Sequence, residues 1–416
     1  MSDVADVLLR AAWVCPIAAP PLADGWIAVR GGRIAQVGAG PAAPPATRTE
    51  LLGDVVLLPG LVNAHTHLEL SWLRGRVPPG EDFLTWVGTL MTARRGPESS
   101  GDPATSEPAR AAIAEMRATG TVAVGDISNA LISPALLTAA RMPAVVFHEL
   151  VGFRVSDGPR HVADALARHA GLASPYVRMA MAPHAPFSVS RELFAAIRDH
   201  AAAATPPLTS VHVGESPEEV TLLTTGHGGW RQRLAELGAW RDGWQAPGVG
   251  PGDYLCDLGL ISAGTLVVHG VQLSDQELAR IAASGATLVT CPRSNVWVGV
   301  GPPPVSRFLA SGVRLALGTD SLASAPDLNL FSELAVLAQL APEAPARTLL
   351  AMATQGGADA LGLGDEFGAL VPGRRAMVVS VAVPPGLTDP EEAMLAGVAP
   401  GRIRVLDLAG YDGSAS

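Results

Sequence analysis

Two histidines with one residue between them, His65 and His67, come at the end of an apolar run of strand character. Side chains two positions apart on a strand point to the same face, so these imidazoles would project side by side from the end of a buried strand. Imidazole nitrogen is a ligand that divalent metal ions use. The pair is therefore half of a candidate metal site, provided that other ligands reach it from elsewhere in the chain.

Ionisable side chains also stand at the ends of other strand-like runs, among them His212, His269 and Asp320. With the first two histidines, His212 and Asp320 give three imidazoles and one carboxylate, a set that suits one Zn²⁺, or alternatively Fe²⁺, and leaves room for a water. A metal held there would lower the pKa of that water into the neutral range, and Asp320 could accept its proton. His269 would either ligate the metal or hydrogen-bond the attacking water.

A carboxylate follows one of these histidines, since Glu215 lies three residues after His212. Just beyond the strand end, its carboxyl could carry protons to and from the reacting atoms. Glu218 and Glu219 are interpreted differently. They fall in the first turn of a predicted helix, where solvated acidic side chains stabilise the positive end of the helix dipole.

The sequence contains no lysine, because all 29 basic residues are arginine. This excludes Schiff-base chemistry on a lysine and a carbamylated lysine that bridges two metals. A site with one metal is therefore favoured, with His269 as a partner of the attacking water.

Strands and helices alternate through the middle of the chain. The strand-like runs are residues 61–67, 121–127, 144–150, 177–182, 208–213, 265–271, 286–291 and 313–319, with helical patterns such as 108–119 and 191–203 between them. Eight β-then-α units with nearly continuous apolar strands predict an α/β protein with a (β/α)8 barrel of the TIM type. Such barrels carry their active residues at the C-terminal ends of the strands. His148 and Glu149, which end the third run, could either ligate the metal or support its ligands.

Strand-rich segments flank this middle part. They are residues 26–30 and 33–37, which a Gly-Gly turn joins into a predicted hairpin, and residues 376–383 and 402–408. Neither end could bury a sheet alone. We therefore expect residues 1–56 and 368–416 to form one small β-sandwich, with the barrel domain, residues 57–367, inserted between them.

Two segments interrupt the alternation. Residues 94–107 are rich in Ser, Gly, Pro and charge, which predicts a mobile surface loop. Residues 226–253 are long for a strand-to-helix connection and carry Trp230, Trp240 and Trp244. This second segment is either a lid over the site or a loop that its tryptophans dock onto the barrel.

The bulk composition argues against several classes of function. The 416 residues include 48% hydrophobic and 16% charged residues, and the net charge of −10 opposes binding to nucleic acid or to an anionic membrane. Three scattered cysteines suit a reducing compartment. The N-terminus does not resemble a signal peptide, and no window offers about 18 uninterrupted apolar residues. We expect a cytoplasmic protein whose partner is a small heterocyclic substrate, and a homodimer is one assembly that the sequence allows.

Four segments stand together in a specific order and spacing. They are Pro59-Gly60-Leu61-Val62-Asn63-Ala64-His65-Thr66-His67, His212-x-x-Glu215, His269 and Gly318-Thr319-Asp320-Ser321. These segments resemble the amidohydrolase superfamily, and more narrowly its branch of metal-dependent deaminases and chlorohydrolases, over about residues 20 to 385. The resemblance implies the barrel with a split β-sandwich. It also implies a hydrolase with one Zn²⁺ or Fe²⁺ that removes ammonia from an amino-substituted heterocycle.

The resemblance also implies a role for each matching residue. The metal ligands would be His65, His67, His212 and Asp320. Glu215 would protonate the ring nitrogen next to the attacked carbon and then help ammonia leave, while His269 would orient the hydroxide and Asp320 would relay its proton. Pro183-His184-Ala185-Pro186 is similar to a segment of adenosine-type deaminases in which the histidine contacts the substrate. His184 is therefore a substrate-binding candidate.

Within this branch, the finer motifs favour one group of nucleoside deaminases. His-Thr-His-Leu-Glu at 65–69, Cys-Pro-Arg-Ser-Asn at 291–295 and Gly-Thr-Asp-Ser-Leu-Ala-Ser at 318–324 differ from the usual S-adenosylhomocysteine deaminase pattern and are more similar to the aminodeoxyfutalosine deaminases. The best single substrate candidate is then 6-aminodeoxyfutalosine. Further substrate-binding candidates are Glu69, Arg154 and Ser294. Glu69 could instead make a supporting hydrogen bond, and Arg154 could instead form a salt bridge at the rim.

The sequence leaves two alternative functions open. The same fold could hydrolyse a cyclic amide, or displace a group such as chloride from a heterocycle. A proton donor at Glu215 favours deamination, because a ring nitrogen must be protonated in that step. A more remote alternative is a non-catalytic relative that acts as a binding module, which the complete set of candidate ligands argues against.

Overall fold

The fold is described by a computed structural model that covers residues 4–94 and 103–410 of the chain. Its strands are β1 (Ala5–Val14), β2 (Leu22–Arg30), β3 (Arg33–Ala39), β4 (Ala46–Leu51), β5 (Val55–Pro59), β6 (Leu61–Thr66), β7 (Thr121–Ser128), β8 (Ala144–Leu150), β9 (Val177–Pro183), β10 (Thr209–Val213), β11 (Thr265–His269), β12 (Thr287–Thr290), β13 (Arg314–Leu317), β14 (Met377–Ala382) and β15 (Ile403–Asp407).

Helices separate most of these strands. They are α1 (Phe83–Ala93), α2 (Pro103–Ala118), α3 (Ser133–Ala139), α4 (Gly158–Ala167), α5 (Arg191–Ala203), α6 (Pro217–Thr225), α7 (Gly229–Glu236), α8 (Pro251–Asp257), α9 (Asp275–Ser284), α10 (Pro292–Trp297), α11 (Val305–Ser311), α12 (Leu330–Leu340), α13 (Ala346–Met352), α14 (Gln355–Ala360) and α15 (Pro390–Leu395). Two short 3-10 helices lie at Leu68–Leu73 and Pro400–Arg402. No helix in these ranges is long and apolar enough to cross a membrane.

Eight parallel strands, β6 to β13, form the barrel. They pair in the runs β6-β7-β8-β9 and β10-β11-β12-β13. Between β9 and β10 the backbone N–H of His212 donates to the carbonyl of His184 at 3.0 Å. Between β13 and β6 the N–H groups of Thr319 and Asp320 both donate to the carbonyl of His65, each at 3.1 Å. The predicted (β/α)8 barrel is confirmed, and every predicted strand is present.

Burial on both faces explains the apolar character of these strands. All residues of β7 and all residues of β8 are buried, because the barrel interior covers one face and the surrounding helices cover the other. Phe147 and Val62 belong to one core cluster. Phe331 and Leu334 of α12 belong to another, which lies under the outer helices.

Local signals fix where the helices begin. Ser274 caps α9 by accepting from the N–H of Glu277, whose carboxylate accepts from the N–H of Ser274 in return. Gly285 ends the same helix with φ of +74°, a left-handed conformation that glycine adopts without steric cost. Ser190 caps α5 by accepting from the N–H of Leu193. These caps place the helices that return the chain to the N-terminal ends of the strands.

A small β-sandwich was predicted from the two chain ends, and both ends contribute strands to one seven-stranded sheet. Its order is β15-β14-β5-β1-β2-β3, and β4 pairs with β1. The hairpin of β2 and β3 is present, but sequence reasoning did not assign β1 and β4. The edge strand β4 exposes Leu51 by 79%, so it lacks the apolar periodicity that would have indicated it. The division of the chain at residues 57 and 367 stays a prediction, since β5 pairs with β14 as far as Pro59.

The two interrupting segments differ in structure. Residues 95–102 of the predicted surface loop lie outside the described residues, and the loop prediction was wrong for 103–107, because α2 already begins at Pro103 and continues through Pro108. In the second segment, the ring of Trp230 stacks on Phe187 with centroids 3.9 Å apart. The tryptophan thereby docks this segment onto the barrel.

The barrel closure depends on a glycine at its seam. A Cβ atom at Gly318 would lie 2.8 Å from both the Cβ and the carbonyl oxygen of His65 and 3.0 Å from the Sγ of Cys291. We expect Gly318→Ala to destabilise the fold by about 1–3 kcal/mol, because the first and last strands must separate. Thermal melting of chelator-treated protein measures this without a contribution from metal. Gly401→Ala is the matched control, since nothing lies within 4 Å of its Cβ position. Equal melting temperatures for the two variants would contradict the expectation.

Candidate metal centre and active site

Four predicted ligands converge at the C-terminal ends of the barrel strands. The Nε2 atoms of His67 and His212 lie 3.4 Å apart. Oδ1 of Asp320 lies 3.5 Å from Nε2 of His67 and 3.8 Å from Nε2 of His65. One ring nitrogen from each of the three histidines falls within a common 4.8 Å. The structure therefore brings these four side chains around one point, although they come from distant parts of the sequence.

The protonation states at this point suit a cation. Both ring nitrogens of His65 are buried without a hydrogen-bond partner among the described residues. Burial and the neighbouring imidazoles hold the pKa of His65 well below its usual value, and burial also lowers the pKa of His67. Nδ1 of His212 lies 3.0 Å from the carbonyl oxygen of His184, so it carries the proton and leaves the Nε2 lone pair free. Neutral imidazoles with converging lone pairs could hold one divalent metal ion.

Asp320 is held in place by two serine hydroxyls. Ser294 donates to its Oδ2 at 2.5 Å, and Ser324 donates to the same atom at 3.0 Å. Burial opposes ionisation, but the imidazoles of His67 and His269 and the Ser294 hydroxyl bring the net pKa of Asp320 below its usual value. Its Oδ1 is left to face the histidines. Sequence reasoning did not find Ser324, because nothing near it in the chain indicates that it contacts Asp320.

The imidazole of His269 faces the same point as the candidate ligands, but its two ring nitrogens have other neighbours. Asn295 donates to its Nδ1 at 3.0 Å, which leaves the proton on Nε2. That Nε2 lies 3.4 Å from Oε1 of Glu215, and burial lowers the pKa of His269 to about 3. Both His269 (φ +74°) and Asp320 (φ +56°) adopt a left-handed backbone conformation. For a residue with a side chain this costs about 1–2 kcal/mol, which the surrounding packing must offset.

Glu215 is a buried carboxyl on the cavity wall. Burial, with the carboxylates of Asp320 and Glu219 nearby, raises its pKa well above the usual value, which favours the protonated acid. Glu219 accepts from the backbone N–H groups of Gly214 and Glu215, both at 3.1 Å. Glu219 is 1% exposed, so its interpretation as a solvated helix-start residue was wrong. It fixes the turn that carries Glu215 instead.

A cavity of about 1370 Å³ opens above the ligands. Its inner end is lined by His67, His212, Glu215, His269 and Asp320, and its outer part by Phe83, Trp86, Phe153, Phe187 and Trp230. The volume exceeds the usual range for a small-ligand pocket. It therefore has space for a heterocycle at the ligands and for a sizeable apolar substituent further out.

The four predicted substrate contacts fall in different places. His184 lines the cavity, its Nδ1 lies 2.6 Å from the Ser188 hydroxyl, and burial lowers its pKa to about 4. Arg154 also lines the cavity and donates to the carbonyl of Gly238 at 3.0 Å. Ser294 lies behind Asp320, as its hydrogen bond shows.

Glu69 is held by a backbone turn. Its Oε2 accepts from the Ser128 hydroxyl at 2.8 Å and from the N–H groups of Asn129 and Ala130, both at 2.9 Å. These are the supporting hydrogen bonds of the alternative interpretation. Contact of Glu69 with a substrate stays a prediction, as do the roles of the other three residues.

The third strand places a second carboxylate beside the ligands. Glu149, at the end of β8, lines the cavity, and its Oε1 lies 3.4 Å from Nδ1 of His212. His148 also lines the cavity, but its ring does not face the candidate ligands: Nδ1 lies 2.9 Å from Nε2 of His169, and the other ring nitrogen lies 3.1 Å from the guanidinium of Arg168. The sequence indicated these two residues only by their position at a strand end.

Comparison with known proteins identifies the family. The sequence model of the amidohydrolase family matches residues 56–406. The chain is 32% identical to a 5-methylthioadenosine/S-adenosylhomocysteine deaminase of Syntrophobacter fumaroxidans over 86% of this chain and 80% of the relative. It is 33% identical to an aminodeoxyfutalosine deaminase of Deinococcus radiodurans over 74% of this chain and 73% of the relative.

A solved structure is similar over nearly the whole length. An adenosine deaminase of Xanthomonas campestris with bound zinc superimposes with a TM-score of 0.80 at 28% identity, covering 98% of this chain and 92% of that one. The family match spans most of the sequence, and the fold and the strand-end histidines agree with it. The chain belongs to the amidohydrolase family.

Proposed function

We propose that the chain is a metal-dependent hydrolytic deaminase of an adenine-nucleoside-like compound. The observation that carries this proposal is the buried Glu215 carboxyl, whose Oε1 lies 3.4 Å from Nε2 of His269, on the wall of the cavity that His67, His212 and Asp320 also line. Deamination of an aminopurine needs a proton donor beside the ring nitrogen and a second group that takes the proton of water. Glu215 and Asp320 supply these two groups at one end of the cavity.

The candidate ligands are His65, His67, His212 and Asp320. One Zn²⁺, or Fe²⁺, held by them would lower the pKa of a water and supply hydroxide near neutral pH. The lowered pKa values of His65 and His67 and the serine-bound carboxylate of Asp320 support this assignment, since ligand atoms must be deprotonated to bind a metal.

The residues of the chain would move the protons as follows. Asp320 Oδ1 takes the proton of the attacking water, and Nε2–H of His269 orients the oxygen. Glu215 gives its proton to the ring nitrogen next to the attacked carbon. Asp320 then gives the proton that it took from the water to the amino group, and the carbon–amine bond breaks with release of ammonia. The hydroxyl on the attacked carbon loses its remaining proton to Glu215 as the carbonyl forms, which returns both carboxyl groups to their starting states.

The specific substrate we propose is 6-aminodeoxyfutalosine, with 5-methylthioadenosine and S-adenosylhomocysteine as alternatives. Both relatives described above are named for nucleosides of this class. The aromatic outer part of the cavity suits a substrate with an apolar group far from the amine. Hydrolysis of a cyclic amide or of a carbon–chlorine bond on this fold is the second candidate. It does not require a protonated carboxyl beside a ring nitrogen.

Glu215→Gln tests the proton donor. We expect kcat to fall about 10²- to 10⁴-fold, because the amide cannot donate the proton, while one metal remains bound per chain. Turnover and metal content are measured on the same preparation. Glu218→Gln, in the first turn of α6, is the control and should stay within a few-fold of wild type. Loss of metal from Glu215→Gln would identify Glu215 as a ligand and remove its role as the donor.

Ser294→Ala tests the support of the metal ligand. Oδ2 of Asp320 loses one of its two hydroxyl donors, so we expect the affinity for Zn²⁺ to fall about 10- to 100-fold, as measured by competition with a chelator. Ser284→Ala, at the end of α9, should leave the affinity unchanged. If the KM rises while the metal affinity stays the same, Ser294 contacts the substrate and does not support Asp320.

A substrate panel tests the proposed reaction. Ammonia release is measured with 6-aminodeoxyfutalosine, adenosine, S-adenosylhomocysteine and 5-methylthioadenosine, and with cytosine, guanine and a triazine as non-nucleosides. We expect turnover of the nucleosides, with the highest kcat/KM for 6-aminodeoxyfutalosine. Turnover of the non-nucleosides alone would contradict the proposal.

A further inference from the structure

The short helix α10 carries two side chains that orient groups of the candidate site. Ser294 donates to Oδ2 of Asp320 at 2.5 Å, and Asn295 donates to Nδ1 of His269 at 3.0 Å. The helix has only six residues, and the side chain of its N-cap residue makes no hydrogen bond to it. A helix of this length is not stable through its own backbone bonds. The position of both donors therefore depends on what holds α10 in place.

A buried carboxylate of α12 holds the first turn of α10. Glu333 is fully buried, and its Oε2 accepts from the backbone N–H of Arg293 at 3.1 Å. Its Oε1 accepts from Nε of the same arginine at 2.7 Å. Glu333 thus binds both the backbone and the side chain of the residue that directly precedes Ser294. The other end of α10 is attached separately, because Nε1 of Trp297 donates to the carbonyl of Val77 at 3.2 Å.

The guanidinium of Arg293 also binds the loop that follows Asp320. Its Nη2 donates to the carbonyl oxygen of Asp327 at 2.8 Å and to Oδ1 of that residue at 2.9 Å. The same Oδ1 accepts from the N–H of Asn329, the N-cap residue of α12, at 2.9 Å. Arg293 therefore connects α10, α12 and the loop between Asp320 and α12.

Contact with a substrate does not account for this ion pair. Among the described residues, neither Arg293 nor Glu333 lines the cavity. A contribution to stability accounts for it poorly, because the desolvation of two buried charges offsets most of their mutual attraction. A buried polar network whose groups are satisfied does specify one geometry. In this network the specified geometry includes the place of Ser294.

We propose that Glu333 is a positioning residue that acts on Asp320 through Arg293 and Ser294. Its carboxylate fixes the first turn of α10, so the Ser294 hydroxyl stays within hydrogen-bond distance of Oδ2 and Oδ1 stays turned towards the candidate histidines. The inference rests on the proposed function for the role of Asp320 as a ligand. It extends that function to two residues that contact neither the candidate metal position nor the cavity.

Glu333→Gln tests the inference on protein that has been stripped with a chelator and reloaded with Zn²⁺. The variant keeps the shape of the side chain, but its amide cannot accept from both N–H groups of Arg293. We expect the affinity for Zn²⁺, measured by competition with a chelator, to fall about 3- to 10-fold. This is less than for Ser294→Ala, because the bond to Asp320 is weakened and not removed. The visible absorption spectrum of the Co²⁺-substituted protein should also change.

Glu391→Gln is the matched control. Oε1 of Glu391 also accepts from an arginine Nε at 2.7 Å, but this pair, with Arg347, joins α13 to α15 outside the candidate site. The control should melt at a lower temperature in the metal-free form, with wild-type affinity for Zn²⁺ and a wild-type Co²⁺ spectrum. If Glu333→Gln behaves in the same way, the pair only stabilises the fold and the inference is overturned.

A double-variant cycle tests the route through Ser294. In a Ser294→Ala background, Glu333→Gln should change the affinity for Zn²⁺ by less than about 2-fold, because the hydroxyl that it positions is already absent. Equal losses in both backgrounds overturn the inference. Arg293→Lys replaces Glu333→Gln if the latter does not fold. One ammonium group cannot reproduce the fork that reaches both carboxylates, so the same loss and the same dependence on Ser294 are expected.

These measurements use no substrate, so they separate the inference from the proposed reaction. If no compound of the panel is deaminated while the affinities change as expected, the proposed reaction fails and the positioning role of Glu333 stands. If Arg293→Lys and Glu333→Gln both bind Zn²⁺ as tightly as wild type does, the positioning role fails and the proposed reaction is unaffected.

Discussion

One backbone carbonyl links the closure of the barrel to the geometry of the candidate site. The carbonyl oxygen of His65 accepts from the N–H groups of Thr319 and Asp320, and these two bonds close the barrel between β6 and β13. The side chains of His65 and Asp320 are also two of the four candidate ligands. The geometry of the ligand set is thus a direct result of strand pairing, because the bonds that close the barrel also position two of the candidate ligands.

A layer of neutral polar groups behind the ligands sets their orientation. The short helix α10 supplies both Ser294, which donates to Asp320, and Asn295, which donates to His269. One element therefore orients two residues with different roles in the proposed reaction. The left-handed backbone at His269 and Asp320 shows that this layer holds conformations that an isolated strand end would not adopt.

The sequence predicted the parts of this site that follow from local pattern. Strand ends are recognisable from apolar runs, and histidines at those ends are few, so the four candidate ligands and Glu215 could be placed on one rim. Ser324 and Glu219 were not assigned to the site, and Glu149 was indicated only by its position at a strand end. Their roles depend on contacts across neighbouring strands and turns, and each looks alone like an ordinary polar residue.

The terminal sheet, too, could be predicted from the sequence only where a strand has a local signal. The Gly-Gly hairpin and β14 have a local signal and were predicted. Strands β1 and β4 do not have one. β4 exposes most of its residues at an edge, and β1 lies inside the sheet, where it pairs with β2, β4 and β5. Pairing between residues far apart in the sequence determines where these two strands lie in the sheet.

The two ends of the cavity are formed by different kinds of secondary-structure element. The reacting groups stand on strands and their immediate turns, whereas Phe83, Trp86 and Trp230 at the outer end belong to α1 and α7, which lie outside the barrel sheet. The two ends can therefore change at different rates during descent from a common ancestor. Replacing side chains on two peripheral helices would give a lineage new substrates, while the hydrolytic apparatus on the strands stayed as it was.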